Sequence, residues 1–476
     1  MNLVNEFYLS AQKNGFEINV INDVTYKTRH FFDSIMIYNR FFSKLQQNDR
    51  VILLLDGSPE SAALLISSLS VGLKCHVYSS DIGKLDLEKE VRLLNPSFVL
   101  FPTYKQMYFQ NWLSQSFDSS RINYYFAIRL NETSGGIFET KQYNLVARTS
   151  GSTGSPKYLA FSLETKFRRL SNFQSVYGID KSELVVISSS FHQTLAIRSI
   201  LNAMHGGFKT LLCWPFNPDN IYAIGTETQV FLTLVPAQIK KLLSSNRLQK
   251  SDNFRLLSSS SYLTIQEKKQ VLLLLTSNFY ECYGTAELAI CTSIKHSLDS
   301  LELLNSVGFE VPDCKIKLIE SNQTKSAWLI TVKSNQTVDY IFDDNLRFYR
   351  PNDGSYLNTG DLGRKQGNSS LLLLGRDKEL IDVGGSKVYP IEIENIASKI
   401  KGVVSCLAFP CQHAVLGEVV GLAVVSSNNL ESRDIIAFFI DKVESYKIPH
   451  HVVFIEQIPL TAAGKPDRSV LAERVN

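Results

Sequence analysis

A chain of 476 residues with 44% hydrophobic and 11% aromatic residues has material for two or three domains and a large core, which excludes a disordered polymer. Its net charge is +3, with Lys and Arg dispersed and no basic patch interleaved with aromatics, so the pattern of a nucleic-acid binder is missing. The seven Cys are odd in number, lack C-x-x-C or metal-ligand spacing and read as buried thiols of a reducing compartment. Met1 to Glu6 carries no signal-peptide pattern, and no apolar run approaches the roughly 20 residues of a membrane span, so a cytoplasmic location without a membrane partner is expected.

The elements alternate. Val51 to Leu55 reads as a strand buried on both faces, stopped by Asp56-Gly57. A helix opens at Pro59 and runs through Leu69, with Gly72 at its end. A strand over Lys74 to Ser79, a helix over Asp86 to Asn95 stopped by Pro96, and a strand over Ser97 to Phe101 complete a β-α-β-α-β series, the pattern of a parallel sheet. The series resumes with strands at Leu184 to Ser188, Lys209 to Cys213, Val230 to Val235, Phe254 to Leu257 and Asn278 to Cys282. Helices are expected over Thr194 to Met204, from Pro236, and over Thr264 to Leu275. From about Val307 to Leu374 the pattern turns to short β, with a hairpin connection at Gly367 to Ser370. Beyond Arg376 it becomes α+β: helices over Pro390 to Ile400 and Ser432 to Glu444, and strands near Val403 to Phe409, Val419 to Val425 and Val452 to Ile455. The expected fold is α/β: a large body over residues 1–375 with parallel α/β sheets and a small β-rich subdomain, then a small mobile α+β domain over 376–476.

Five segments carry chemistry. Arg148-Thr149-Ser150-Gly151-Ser152-Thr153-Gly154-Ser155-Pro156-Lys157 has free backbone N–H groups, hydroxyls and a cation, the parts needed to wrap a polyphosphate. Its spacing is not that of G-x-x-x-x-G-K-[ST]. Tyr283-Gly284-Thr285-Ala286-Glu287 offers a flat ring, a glycine that admits a ligand and a hard oxygen donor suited to Mg²⁺. Thr359-Gly360-Asp361 holds a carboxylate able to accept two hydroxyls, though as a tripeptide it is also an ordinary turn. Gly375-Arg376-Asp377-Lys378 continues through Gly384-Gly385 to a Pro-started helix at Pro390. Pro459-Leu460-Thr461-Ala462-Ala463-Gly464-Lys465-Pro466 closes the set. Each alone has a structural reading.

In this order and at these separations, the five resemble the core motifs of the ANL superfamily of adenylate-forming enzymes over essentially the whole chain. Ser190-Phe191-His192 is similar to that family's acyl-pocket segment. The resemblance implies joining of a carboxylate to ATP with loss of pyrophosphate, then transfer of the acyl group to a thiol. By it, Lys465 is the catalytic cation and Glu287 the Mg²⁺ ligand. Thr149, Ser150, Gly151, Ser152, Thr153, Gly154 and Lys157 hold the departing phosphates. Asp361 and Arg376 clasp the ribose, Tyr283 stacks on adenine beside Gly284 and Thr285, and Ser259 and Ser260 pass along the base. Phe191 and His192 line the acyl pocket, Lys378 is the hinge, and Gly384 and Gly385 border the thiol channel. The first step drives an anion toward an anionic triphosphate, about 4 kcal/mol of repulsion per charge pair at 4 Å and an effective dielectric of 20, which a cation must offset.

The chain departs from the family pattern at Ala286, where a hydroxyl is usual, at Ser258 to Ser261, usually Gly-Gly-Ala-like, and at Asp382. His192-Gln193 stands where amino-acid-activating members carry an Asp, so an unpaired ammonium disfavours an α-amino acid and leaves an aryl or short-to-medium acyl acid. Arg198 is read as a solvated helix residue or as a partner for a second substrate carboxylate. The tripeptide Asp299-Ser300-Leu301 falls inside the expected body and no carrier domain with a phosphopantetheine attachment site is recognised, so a stand-alone ligase is expected. Its acceptor is coenzyme A or the phosphopantetheine arm of a separate carrier protein, for which Arg168-Arg169 is a candidate docking pair. A luciferase-like oxygenase and an inactive nucleotide-binding homologue remain as alternatives.

Overall fold

The computed structural model describes residues 11, 13, 15–21, 27–43, 45–105, 118–122, 125–129, 141–149, 157–224, 228–321, 327–351, 354–367, 369–427, 429–461 and 465–475. Two large sheets form the body. In one, the strands Leu145–Thr149, Lys74–Ser79, Arg50–Leu55 and Phe98–Pro102 run parallel side by side, with antiparallel strands on both flanks. In the other, Lys209–Leu212, Leu184–Ile187, Val230–Leu234, Phe254–Ser258 and Phe279–Thr285 are parallel, and Ala289–Lys295 turns back antiparallel.

The reasons are local and then tertiary. Val51 through Leu55 are each 0% exposed, as an apolar run in a doubly covered parallel sheet must be. The helix Pro59–Val71 follows because the Ser58 side chain accepts from Ser61 N–H, Pro59 fits the first turn, and Gly72 closes the end at φ 85°. Helices Leu163–Tyr177 and Thr194–Gly206 pack between the two sheets, their Leu170, Phe173, Ile197 and Ile200 lying in one continuous core.

A four-stranded antiparallel sheet, Cys314–Glu320, Trp328–Ser334, Leu357–Gln366 and Ser370–Arg376, makes the β-rich subdomain. From Ile381 onward the tail has its own core, in which Ile393, Phe409, Val420, Leu422, Ile435 and Leu471 meet. Asn395 of the tail helix Pro390–Ala397 meets the body: it accepts from Ile265 N–H at 3.3 Å and donates from Nδ2 to Tyr262 Oη at 2.9 Å.

Three local expectations change. The tail helix stops at Phe439, not Glu444, because Ile440 leaves helical dihedrals and Asp441 adopts φ 63°. The Thr264 to Leu275 helix is α only over Ile265–Gln270 and continues as a π turn over Val271–Leu275. Thr359-Gly360-Asp361 is not a free turn but lies inside the strand Leu357–Gln366. All seven Cys are buried and free. Among the described residues no helix is long and apolar enough to cross a membrane.

A buried ionic cluster ties the helix Ile265–Gln270 to the strand that carries Tyr283. Lys268 Nζ lies 2.6 Å from Glu281 Oε2, which His296 Nε2 also meets at 2.8 Å, and all three side chains are at most 4% exposed. Removing one member leaves a buried charge without its counterion. Lys268→Met is therefore expected to lower stability by about 3 kcal/mol, read as a shifted midpoint in denaturant unfolding.

Candidate active site

The strands Leu145–Thr149 and Lys157–Phe161 pair antiparallel with Thr149 opposite Lys157, and Thr149 Oγ1 donates to the Lys157 carbonyl at 3.3 Å. Of the expected triphosphate loop, Ser150, Gly151, Ser152, Thr153 and Gly154 lie outside the described residues, while its two feet, Thr149 and Lys157, are fixed by this pairing. Below them Arg148 Nε stands 3.3 Å from Glu90 Oε1. Tyr78 and Tyr158 donate their hydroxyls to the same carboxylate at 2.8 and 2.9 Å. Burial pushes the Glu90 carboxyl above its ordinary value, opposed by those hydroxyls and Arg148. Glu90 thus anchors the base of the loop. Sequence reasoning passed over it, although an acid between Leu87 and Leu94 on the buried stripe of a helix was a readable signal.

Gly284 sits at a bulge between Phe279–Thr285 and Ala289–Lys295. A Cβ there would lie 1.8 Å from the Ala289 carbonyl oxygen, so the chain can cross only as glycine. The following turn is clamped by Arg169, which donates to the carbonyls of Ala286 at 3.1 Å, Glu287 at 2.7 Å and Gln336 at 2.8 Å. That removes Arg169, though not the part-exposed Arg168, from the expected docking pair. Arg169 is 8% exposed and spent on the site's own backbone, and Arg168 Nη2 donates to Thr165 Oγ1 at 2.7 Å.

The β-rich sheet places Asp361 directly opposite Arg376, and the guanidinium Nε lies 3.2 Å from Asp361 Oδ1. Tyr283 donates its hydroxyl to Asp361 Oδ2 at 2.8 Å. Burial raises the Asp361 pKa, while Arg376, the Tyr283 hydroxyl and Lys465 pull it back. Tyr283 is 7% exposed, so most of its ring belongs to the core.

Lys465 reaches this group from the tail. Its carbonyl accepts from Thr461 N–H at 2.7 Å, its N–H donates to Thr461 Oγ1 at 3.3 Å, and Leu460 bridges Pro466, so these pairings hold Lys465 against Thr461. Its surface keeps contact with solvent, yet the surrounding protein is dense enough that desolvation lowers its pKa below 10.5, helped by Arg376. The fields of Asp361, Glu287 and Glu379 oppose that shift, though none of them forms an ion pair with the ammonium among the described residues, Asp361 pairing with Arg376 and Glu379 with Arg468. Body and tail therefore converge on one charged cluster.

At the adenine-side loop, Ser259 donates its N–H to the Leu234 carbonyl at 3.1 Å, and Ser260 adopts φ 83°. A non-glycine residue in the left-handed region is strained, and it sits where the family pattern has glycine. His192 Nδ1 lies 2.8 Å from Ser190 Oγ, and burial lowers its pKa below 6.5, so the ring is favoured as neutral. Phe191 is 0% exposed and donates its N–H to the Asp56 carbonyl at 2.8 Å; it braces His192 from within the core.

Lys378 is exposed on the short 3-10 turn Asp377–Glu379 between body and tail. Gly384 and Gly385, at φ 57° and 91°, form the two-residue turn of the tail hairpin Ile381–Val383 and Ser386–Val388. Their neighbours are tail groups: Gly384 N–H donates to the Leu416 carbonyl, and Gly385 N–H to Asp382 Oδ1. Asp382 pairs with Lys387 at 2.7 Å, which explains its departure from the family pattern as a hairpin brace. A cavity of about 190 Å³ lined by Asp180, Glu183, Gln229, Arg255 and Tyr280 opens at the amino ends of the strands, away from these motifs.

The described residues contain no group of three His, Cys, Asp or Glu that could hold a metal by itself. Glu287 supplies one half-buried carboxylate, which fits Mg²⁺, an ion commonly held by one or two carboxylates plus substrate phosphates and water.

Gly284→Ala is expected to break the crossing at Ala289 and with it the Tyr283–Asp361 bond. Stability should fall by at least about 1–3 kcal/mol, and thermal unfolding monitored with and without ATP should show the nucleotide-induced shift lost as well.

The family described as AMP-binding enzyme matches residues 40–327, and its C-terminal domain matches residues 392–465. Indoleacetate–CoA ligase of Aromatoleum aromaticum is 24% identical over 331 residues, 67% of this chain and 65% of that protein. 2-Succinylbenzoate–CoA ligase of Staphylococcus aureus is 20% identical over 499 residues, covering 98% of both chains. ATP-bound MatB of Rhodopseudomonas palustris superposes with a TM-score of 0.83 at 19% identity, over 100% of this chain and 99% of that one, which establishes the shared fold.

Proposed function

The chain belongs to the AMP-binding enzymes of the adenylate-forming ANL superfamily, whose curated relatives include CoA ligases, and on that premise we propose that it activates a carboxylic acid with ATP and passes the acyl group to the thiol of coenzyme A. The observation that carries this reading is the assembly of Tyr283, Asp361 and Arg376 from the motif segments into one cluster whose field Lys465 of the tail feels, since an activation step between two anions needs a cation delivered to the α-phosphate.

In the first half-reaction the acid's carboxylate oxygen attacks the α-phosphorus. The bond from that phosphorus to the β-bridging oxygen breaks, and pyrophosphate leaves. Lys465 bridges the carboxylate and the α-phosphate and holds them in line. The feet of the hairpin loop, Thr149 and Lys157, receive the departing phosphates, and Asp361 with Arg376 holds the ribose hydroxyls. Mg²⁺, which Glu287 would hold, neutralises phosphate charge when bound. In the second half-reaction the thiol sulfur attacks the acyl carbon, AMP leaves with the electron pair, and the thiol proton is lost. The acid is an aryl or short-to-medium acyl acid, admitted beside a neutral His192. Coenzyme A is favoured over a carrier protein because Arg169 of the expected docking pair is engaged inside the body with three backbone carbonyls, which leaves only Arg168 at the surface, paired with Glu164.

Two outcomes test this. Lys465→Ala should reduce acid-dependent exchange of labelled pyrophosphate into ATP by about 100-fold or more, while thioester formation from supplied acyl-adenylate stays within about threefold. Equal loss in both half-reactions would overturn the assignment. The ammonium must be charged to act, and its pKa is lowered from 10.5, so kcat/KM for adenylation should fall with rising pH through a value below 10.5. That alkaline limb should be missing from the residual activity of Lys465→Ala.

A further inference from the structure

The tail meets the body in two ways. One contact is apolar and lies at the joint: Leu374 and Leu380 flank the turn Asp377–Glu379, and with Tyr389 they pack against Ala327 and Leu362. A contact at a pivot holds two parts together and leaves the angle between them open. The other contact is polar and lies further along the tail. Asn395 is six residues beyond Tyr389, about 9 Å along the helix Pro390–Ala397. Both ends of its carboxamide are used: Nδ2 donates to Tyr262 Oη at 2.9 Å, and Oδ1 accepts from Ile265 N–H at 3.3 Å.

The body holds these two partners firmly. Thr264 N–H donates to Glu267 Oε2 at 2.7 Å, and Glu267 N–H to Thr264 Oγ1 at 3.3 Å, which caps the helix Ile265–Gln270. Ile265 N–H is a first-turn amide that its own helix cannot satisfy, and Asn395 satisfies it from the tail. Lys268 Nζ stands 5.2 Å from the centroid of the Tyr262 ring and pairs with Glu281, two residues before Tyr283. Tyr262 is thereby tied to the strand assigned to the nucleotide.

On the tail side, the residue next to Asn395 leads to the catalytic cation. Glu394 is 6% exposed, and its Oε1 accepts from Ala408 N–H at 3.0 Å and from Arg468 Nη1. Arg468 lies three residues past Lys465 and also meets Glu379 of the joint at 3.2 Å. Charge-assisted bonds of this kind are strong, so the helix Pro390–Ala397 acts as a bar with Asn395 on the body and Glu394 on the base of the Lys465 segment. The Lys465 ammonium has no ion pair of its own among the described residues, so its place is set by what holds that segment.

We propose that Asn395, with Tyr262 as its partner, is a positioning residue of the activation step: the clasp fixes where the tail comes to rest and so where the Lys465 ammonium stands over the nucleotide. This rests on the acid-activation reading and adds to it. Asn395 touches no reacting atom and acts through Glu394 and Arg468. A displacement of about 1 Å can cost roughly 100-fold in such a step; with the apolar contact still in place, loss of the clasp should cost about tenfold.

The test uses the full chain and follows the two half-reactions separately, with benzoate, phenylacetate, butyrate and octanoate as probe acids. Asn395→Ala should lower kcat for acid-dependent exchange of labelled pyrophosphate into ATP by about tenfold, and Tyr262→Phe by at least about threefold. KM for ATP and acid should stay within about twofold, and thioester formation from supplied acyl-adenylate within about threefold, which a general loss of structure would not spare. Because both variants break one clasp, the double variant should be no slower than Asn395→Ala alone. Thermal unfolding identifies the folded variants, and Tyr262→Phe, which loses a single oxygen, carries the test if Asn395→Ala unfolds. Unchanged exchange in the folded variants, equal loss in both half-reactions, or additive losses in the double variant would overturn the role of Asn395 and leave acid activation standing. A wild-type chain that shows no exchange with any of the four acids would overturn the activation reading and this inference with it.

Discussion

The site depends on one buried carboxylate. Asp361 is 6% exposed, and burial alone would favour its neutral form. It is kept ready to ionise by groups from three places: Tyr283 at the end of a body strand, Arg376 directly across the β-rich hairpin, and Lys465 from the tail. Each also has something to lose if Asp361 is absent. Lys465 stands beside Arg376, a repulsion that raises the cost of bringing the tail down, and the carboxylates of Asp361, Glu287 and Glu379 offset it. The closed arrangement of the two parts is therefore an electrostatic balance as much as a packing contact.

The balance sits on rigid supports and a yielding joint. Behind the turn at Ala286-Glu287 stands Arg169, and behind the loop feet stands Glu90, both buried and fully bonded. The joint is different. The turn Asp377–Glu379 is held on one side by Ser321, whose hydroxyl donates to Asp377 Oδ1 at 2.9 Å, and on the other by Arg468 of the tail, 3.2 Å from Glu379 Oε2. Lys378 lies between these two tethers, one to each domain. The recorded links from Asn395 to Tyr262 and Ile265 are polar hydrogen bonds of 2.9 to 3.3 Å, which water can replace. Tyr389 and Leu380 of the tail also pack with Ala327, Leu362 and Leu374 of the body, so swinging Lys465 away must open a small apolar contact as well as these hydrogen bonds.

Much of this was legible in the sequence because it is periodic or punctuated. The parallel strands announced themselves as apolar runs, and the helix Pro59–Val71 by its Ser58, Pro59 and Gly72 signals. The five motifs could be assigned chemistry because glycines, hydroxyls and single charges in fixed order have few other uses together. What stayed hidden depends on partners distant in the chain. Glu90 meets Tyr158 across 68 residues, and Arg169 meets Glu287 across 118. A charge pair such as Arg168-Arg169 looks alike whether it faces water or a backbone, and only the packing of the helix Leu163–Tyr177 against the turn decides. The strain at Ser260 was equally invisible, since four serines in a row carry no signal of a positive φ.

Arg198 shows the same limit from the other side. On a helix of alternating polarity it reads as a surface residue. In the fold its Nε and Nη2 are shut off from solvent without a hydrogen-bond partner among the described residues, whereas the anchors Glu90 and Arg169 are bonded. Lys465 differs from these anchors: it forms no ion pair among the described residues, only the field of nearby carboxylates acts on it, and its exposed surface leaves it open to meet an incoming phosphate. A cation fully paired there would be a structural staple, and one with no acidic neighbours would be driven out of the cleft by Arg376.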